Sequence, residues 1–259
     1  MELQLKNIGM IKEAIVKIDG LTVIAGENDT RKSTLGKALY LQLRFLLDLE
    51  KIQKNAKENK SLDIKEVKRA SILPKLIFDE QINNGDINLI INNINHHFII
   101  DNSDIYDKNN FKNKIENSIK LPIIIETPLV WNLNTATGIK YFGIFQVLSQ
   151  NNYLNEDTVL ILDELEVHLH PKWQLELAKI IVELVKNGVK ILVNSHSPYM
   201  IDALKYYADK EKINNNFYLT EKNRDETSNI SNVTMDISPI FEKLTEPLRE
   251  LRKMKLGLK

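Results

Sequence analysis

The 259-residue chain contains no cysteine, which excludes disulfide staples and thiolate metal sites. It carries no excess of either charge: 35 lysines and arginines are balanced by 35 aspartates and glutamates. The chain as a whole therefore lacks the basic footprint of a nucleic-acid binder, although local patches are compatible with that balance. No apolar run approaches the roughly 18 residues of a membrane span. The N-terminus, Met1-Glu2-Leu3-Gln4-Leu5, alternates like a strand and lacks a secretory signal pattern. Internal repeats are also missing. The expectation is a cytoplasmic protein with no membrane partner. With 43% hydrophobic and 27% charged residues, it suits one large domain, or one domain with an insertion, and can bury a sizeable core.

One further absence is a single glycine. Residues Gly26-Glu27-Asn28-Asp29-Thr30-Arg31-Lys32-Ser33-Thr34 follow the phosphate-loop pattern G-x-x-x-x-G-K-[ST], except that Arg31 stands where the second glycine belongs. The context fits the pattern. Leu21–Ala25 is a short β-branched, apolar run of the kind that forms a buried strand. The segment after Lys32 has apolar residues at helical spacing, with Leu39, Leu43, Leu46 and Leu47 on one face to about Leu49. In a strand–loop–helix unit, backbone N–H groups point at phosphates. Lys32 would reach the β- and γ-phosphates and the Ser33 hydroxyl would ligate Mg²⁺.

The rest of the chain divides by composition. Residues 2–25 read as strands, with Asp19-Gly20 as a turn. Residues 50–120 read as an inserted helical and β lobe: Lys51–Arg69 carries seven basic and three acidic residues, and short strand-like pieces follow at Leu89–Ile91 and His97–Ile100. The basic stretch is read as a solvated helix face, with a phosphate-backbone contact as the alternative. The pair His96-His97 lacks other convergent ligands and is read as structural. From Leu121 to Tyr218 strands and helices alternate. Val159–Leu162, Val189–Val193 and Phe217–Leu219 are strands; Trp173–Lys186 and a segment starting at Met200 are helices. This pattern implies a largely parallel sheet with helices on its faces. Ser238–Leu251 reads as one amphipathic helix capped by Ser238, with Pro239 at its first position and Ile240, Phe241, Leu244, Leu248 and Leu251 on one face.

Two motifs complete the site. Thr158-Val159-Leu160-Ile161-Leu162-Asp163-Glu164 is an apolar strand ending in two acids, the Walker B pattern. Asp163 would hold Mg²⁺ directly or through water, and Glu164 would polarise an attacking water. Ile191-Leu192-Val193-Asn194-Ser195-His196-Ser197-Pro198 puts His196 just past the carboxyl end of another strand, where ligand groups gather in open α/β sheets. From there it would donate to a γ-phosphate or orient the water.

Leu162-Asp163-Glu164-Leu165-Glu166-Val167-His168-Leu169-His170-Pro171 and Ser195-His196-Ser197-Pro198-Tyr199 resemble ABC-type ATPases of the AAA family. The likeness is greatest to the overcoming-lysogenisation-defect (OLD) group and similar prokaryotic defence ATPases, within the structural-maintenance and DNA-repair clan. The resemblance covers residues 1–49 and 121–220. It implies a P-loop α/β fold: an ATPase core over 1–49 and 121–259, an N-terminal antiparallel β region, and the lobe at 50–120. It also implies ATP and Mg²⁺ as ligands, a homodimer that sandwiches ATP, and control of a protein effector or engagement of DNA. Asn134-Thr135-Ala136-Thr137-Gly138-Ile139-Lys140 resembles the family's signature segment. Thr137, the Gly138 backbone and Lys140 would then face a partner's nucleotide; a simple helix N-cap is the alternative. His170 falls in the dimer-facing loop, and the family's lobe-coupling glutamine is left unassigned. The second, metal-binding domain of OLD nucleases has no counterpart in residues 221–259, so no nuclease activity is expected in cis.

Three outcomes stay open for Arg31. It cripples the site, it permits binding but slows hydrolysis, or it is tolerated. A left-handed backbone there would cost a non-glycine residue about 1–2 kcal/mol, roughly a tenfold loss of affinity. A guanidinium, however, is itself a good phosphate ligand. The sequence thus implies an ATP-gated dimeric ATPase, with weakened but real nucleotide binding. The rival is a nucleotide-binding regulatory or scaffold subunit. A nucleic-acid module built on residues 51–69 is a third reading.

Overall fold

A computed structural model of the chain describes residues 1–57, 85–91, 94–101, 104–107, 121–126, 137–167 and 169–256. The described strands form one eleven-stranded sheet in the order β6-β5-β4-β1-β2-β11-β10-β3-β9-β8-β7. One half is parallel: β10 (Asn215–Lys222), β3 (Leu21–Gly26), β9 (Lys190–Ser195), β8 (Thr158–Asp163) and β7 (Leu121–Glu126). The other half is antiparallel: β1 (Glu2–Ile8) pairs with β2 (Ile11–Lys17) and with β4 (Gly85–Ile91), followed by β5 (Ile94–Asp101) and β6 (Asp104–Asp107). Strand β11 (Ser228–Asn232) joins the halves, antiparallel to β10 and parallel to β2. The described strands of segment 50–120 therefore extend the sheet from β1.

The parallel strands are buried on both faces. This is why they read as continuous apolar runs rather than as an alternation. Helix α1 (Lys32–Lys57) covers one face, packing Leu35, Leu39, Leu43 and Leu46 with Ile24, Ile161, Leu192 and Tyr218. Helices α2 (Thr137–Gln150), α3 (Pro171–Lys186) and α4 (Pro198–Lys210) cover the other. There Val23, Leu160, Val193 and Phe217 meet Tyr141, Leu177, Ile181 and Leu204. Successive strand residues go to opposite cores because strand side chains alternate.

Several elements depart from the sequence expectations. Helix α1 runs on to Lys57, because Lys51, Gln53, Lys54 and Ala56 are good helix formers even where the apolar stripe stops. The single C-terminal helix is two: α5 (Ser238–Leu244) and α6 (Glu246–Lys255), meeting at Thr245. Pro247 explains the break, since it lacks the N–H that would bond back to Lys243 and it suits a first turn. Leu248 and Leu251 consequently lie exposed and do not join Ile240 in the core. Ile237 occupies the N-cap of α5, and the Ser238 N–H donates to Asp236 Oδ1 at 2.9 Å. Strand β11 was not expected; its sequence, Ser-Asn-Ile-Ser-Asn, has no apolar alternation to announce it. Among the described residues, no helix is long and apolar enough to cross a membrane.

Candidate functional site

The phosphate-loop pattern sits between β3 and α1, as its spacing demands. Gly26 is required by close approach: a Cβ there would lie 2.3 Å from Thr220 Oγ1 and 2.6 Å from the Thr220 carbonyl oxygen. Thr220 belongs to β10, and its hydroxyl donates to the Ala25 carbonyl and lies 2.8 Å from that of Thr30. Thr30 in turn donates to the Glu27 carbonyl. The base of the loop is therefore fixed by a strand far away in sequence.

Arg31 adopts φ 64°, the left-handed region where glycine is the easy choice. Its Nε donates to Met10 Sδ at 2.9 Å, and its guanidinium lies 3.8 Å from Asp29. Asp29, itself at φ 64°, also pairs with Lys222 at 3.3 Å. Glu27 lies 3.8 Å from Lys243 of α5. Asn28 and Thr34 complete the segment; Thr34 N–H donates to the Arg31 carbonyl, closing the first helical turn.

Lys32 is the buried cation of the loop, 3% exposed. Its ammonium donates to the Glu27 carbonyl at 2.7 Å and faces Glu164 at 3.4 Å. Burial lowers its pKa, and the opposing pull of Glu164 raises it. Ser33 Oγ donates to Asp163 Oδ1 at 3.0 Å, so the end of β8 and the start of α1 converge on one point. Asn194 Nδ2 donates to the same Asp163 oxygen at 2.8 Å, and its carbonyl accepts from the Glu164 N–H. Glu164 turns the chain out of β8 at φ 52°. Its carboxylate lies 3.4 Å from His196 Nδ1. His196, and to a lesser extent Lys32, hold Glu164 below the usual carboxylate range against the effect of burial. Glu164 in turn raises the pKa of the His196 imidazole, against the effect of burial.

Glu27, Asp29, Arg31, Lys32, Ser33, Asp163, Glu164 and His196 thus gather at the carboxyl ends of the parallel strands β3, β8 and β9. The signature segment is only partly within view: Asn134–Ala136 lie outside the described residues, and Thr137, Gly138 and Lys140 open α2 as backbone. His168 and most of the basic stretch 51–69 also lie outside. His170 caps α3, its Nδ1 accepting from the Lys172 N–H at 3.3 Å. His97 pairs with Asp86 across β4 and β5 at 2.7 Å. Asn194 and Thr220 were missed by motif reading.

The residues fit a nucleotide with Mg²⁺. The buried ammonium beside a glycine-floored loop suits phosphate oxygens, and the convergent hydroxyl and carboxylate are hard oxygen donors. Among the described residues there is no group of three or more His, Asp or Glu arranged to hold a metal by itself.

Comparisons with known proteins agree on architecture. A family model described as "AAA domain, putative AbiEii toxin, Type IV TA system" matches residues 139–202, from α2 through β8 to the start of α4. The SMC head domain from Thermotoga maritima is similar over 90% of this chain and 98% of its own, with a TM-score of 0.53 at 11% identity. The Smc head domain of Pyrococcus furiosus, bound to the C-terminal domain of ScpA, is similar over 97% and 99%, with a TM-score of 0.50 at 12% identity. A search of curated proteins finds no match. The fold is that of an SMC head domain.

Proposed function

We propose that this chain is an ABC-type ATPase that binds Mg²⁺–ATP and hydrolyses it within a dimer of two copies. One observation carries the reading: Lys32, Ser33, Asp163, Glu164 and His196, from three segments of the chain, meet through contacts of 3.0–3.4 Å. Loop N–H groups and Lys32 bind the phosphates. Ser33 and Asp163 hold the metal, which when bound neutralises charge on the transferring phosphoryl group. Glu164 accepts the proton of the attacking water, for which it must first leave Lys32. His196, its Nδ1 turned to Glu164, presents the other ring nitrogen as a donor to the γ-phosphate. Thr137, Gly138 and Lys140 serve the partner's nucleotide, and dimer closure drives an effector protein. A role in defence, as in the OLD-like ATPases, is the finer form of this reading.

Arg31 favours a second reading, a subunit that binds nucleotide but turns it over poorly, because its side chain and φ of 64° occupy a glycine position. Steady-state hydrolysis of the pure chain separates the two. Wild type is expected to release phosphate, and Glu164→Gln to lose it while binding ATP and shifting in mass to a dimer. Arg31→Gly is expected to tighten binding by up to about tenfold. Hydrolysis absent from wild type but present in Arg31→Gly would establish the second reading. Equal affinity and turnover in the two would show that Arg31 does not weaken the site.

A further inference from the structure

Glu166 plays no part in the chemistry just described, yet it is a carboxylate buried to 3% exposure two residues beyond Glu164. Its Oε1 accepts from the Ser195 hydroxyl at 2.6 Å and from the His196 backbone N–H at 3.1 Å, and lies 3.8 Å from His196 Nδ1. Its Oε2 is buried with no hydrogen-bond partner among the described residues. The Ser197 N–H donates to Ser195 Oγ, and Ser197 Oγ donates to Gln174 Oε1. Gln174 Nε2 closes the circuit on the Leu169 carbonyl. The loop after β8 and the loop after β9 are thus stitched together, and Glu166 is the knot nearest His196. Burying a carboxylate with one oxygen unpaired is costly.

We infer that Glu166 is a positioning residue: by accepting from Ser195 and from the His196 main chain, it fixes the loop that aims the His196 imidazole at Glu164 and at the γ-phosphate. Burial pushes the Glu166 carboxyl group above its usual range, against the pull of the Ser195 hydrogen bond. A neutral acceptor of the same shape is therefore its fair replacement. The amide oxygen of glutamine can accept both hydrogen bonds, whereas alanine leaves the buried Ser195 hydroxyl and the part-buried His196 N–H without this acceptor.

This inference rests on the ATPase reading for its kinetic half and on the hydrogen bonds alone for its structural half, and the experiment treats them separately. Glu166→Ala and Glu166→Gln are made in the full chain, and their folding is checked by circular dichroism. Amide hydrogen exchange is followed over residues 194–199 without nucleotide, and binding of a fluorescent ATP analogue with Mg²⁺ and kcat are measured. Glu166→Ala is expected to speed exchange in that segment and to lower kcat by about tenfold or more, with analogue affinity within about threefold of wild type. Glu166→Gln is expected to restore both. Unchanged exchange in Glu166→Ala, unchanged kcat, or a glutamine variant as damaged as alanine would overturn the assignment. If wild type neither binds nor hydrolyses ATP, the proposed function fails, and exchange in the two variants still decides whether Glu166 holds the loop.

Discussion

Three non-glycine residues with positive φ stand at the candidate site: Asp29, Arg31 and Glu164. Strain of this kind persists where the surroundings over-determine the backbone. For Glu164 that surrounding is Asn194, whose carbonyl takes the Glu164 N–H. The letters of the site were legible because Lys32, Ser33, Asp163, Glu164 and His196 stand in short patterns with their own chemistry. Asn194 and Glu166 were not, because a buried amide or acid is defined by its neighbour across the sheet. Asn194 meets Asp163 31 residues away, and Glu166 meets His196 30 away. The ion pair of Glu164 and His196 makes a pH prediction. The carboxylate beside it raises the folded pKa of His196 above 6.5, so its contribution to stability is full below that value and is lost as pH rises through the raised one. Glu164 is depressed below 4.5, so its share is present above that value and is lost as pH falls through the depressed one. The Tm difference between wild type and His196→Gln is expected to be largest between pH 4.5 and 6.5 and to shrink at alkaline pH. A difference that does not vary with pH would count against the pair.

At the scale of elements, α1 is held against the sheet at its first turn by an absence of side chain. A Cβ at Gly36 would lie 2.9 Å from Ile161 Cγ2 and 3.2 Å from Asn194 Nδ2. Gly36→Ala is therefore expected to push the start of α1 off the β8 and β9 strands, costing about 1–3 kcal/mol. The urea midpoint of unfolding reads that loss, and weaker nucleotide binding should accompany it because Lys32 and Ser33 ride on the same turn. The strands of the parallel half were readable from their apolar runs. The division of α5 from α6 was not, because the apolar spacing continues straight through Pro247 and only the backbone chemistry of proline ends the first helix. Strand β11 was equally hidden; pairing with β10 and β2 supplies what its own residues lack.

The described strands make one sheet with two characters, an antiparallel half begun by β1 and β2 and a parallel half carrying the candidate site. Sequence order disguises this arrangement. Strand β3 is flanked by β9 and β10, which lie far downstream. Phe217, Tyr218 and Leu219 of β10 are buried in the two cores, one on each face. A chain ending at Asn214 loses all three. It is expected to lack a cooperative thermal transition and to bind no fluorescent ATP analogue; sharp melting by calorimetry would contradict this.

The hydrogen bonds of Thr220 to the base of the phosphate loop also set an order of events. Residues 26–34 are made well before the strand that braces them. Between the two, a nascent chain carries its phosphate loop without the support that shapes it. On the proposed function, nucleotide capture would wait until the sheet has closed around β3, and a half-made chain would not compete with finished molecules for ATP.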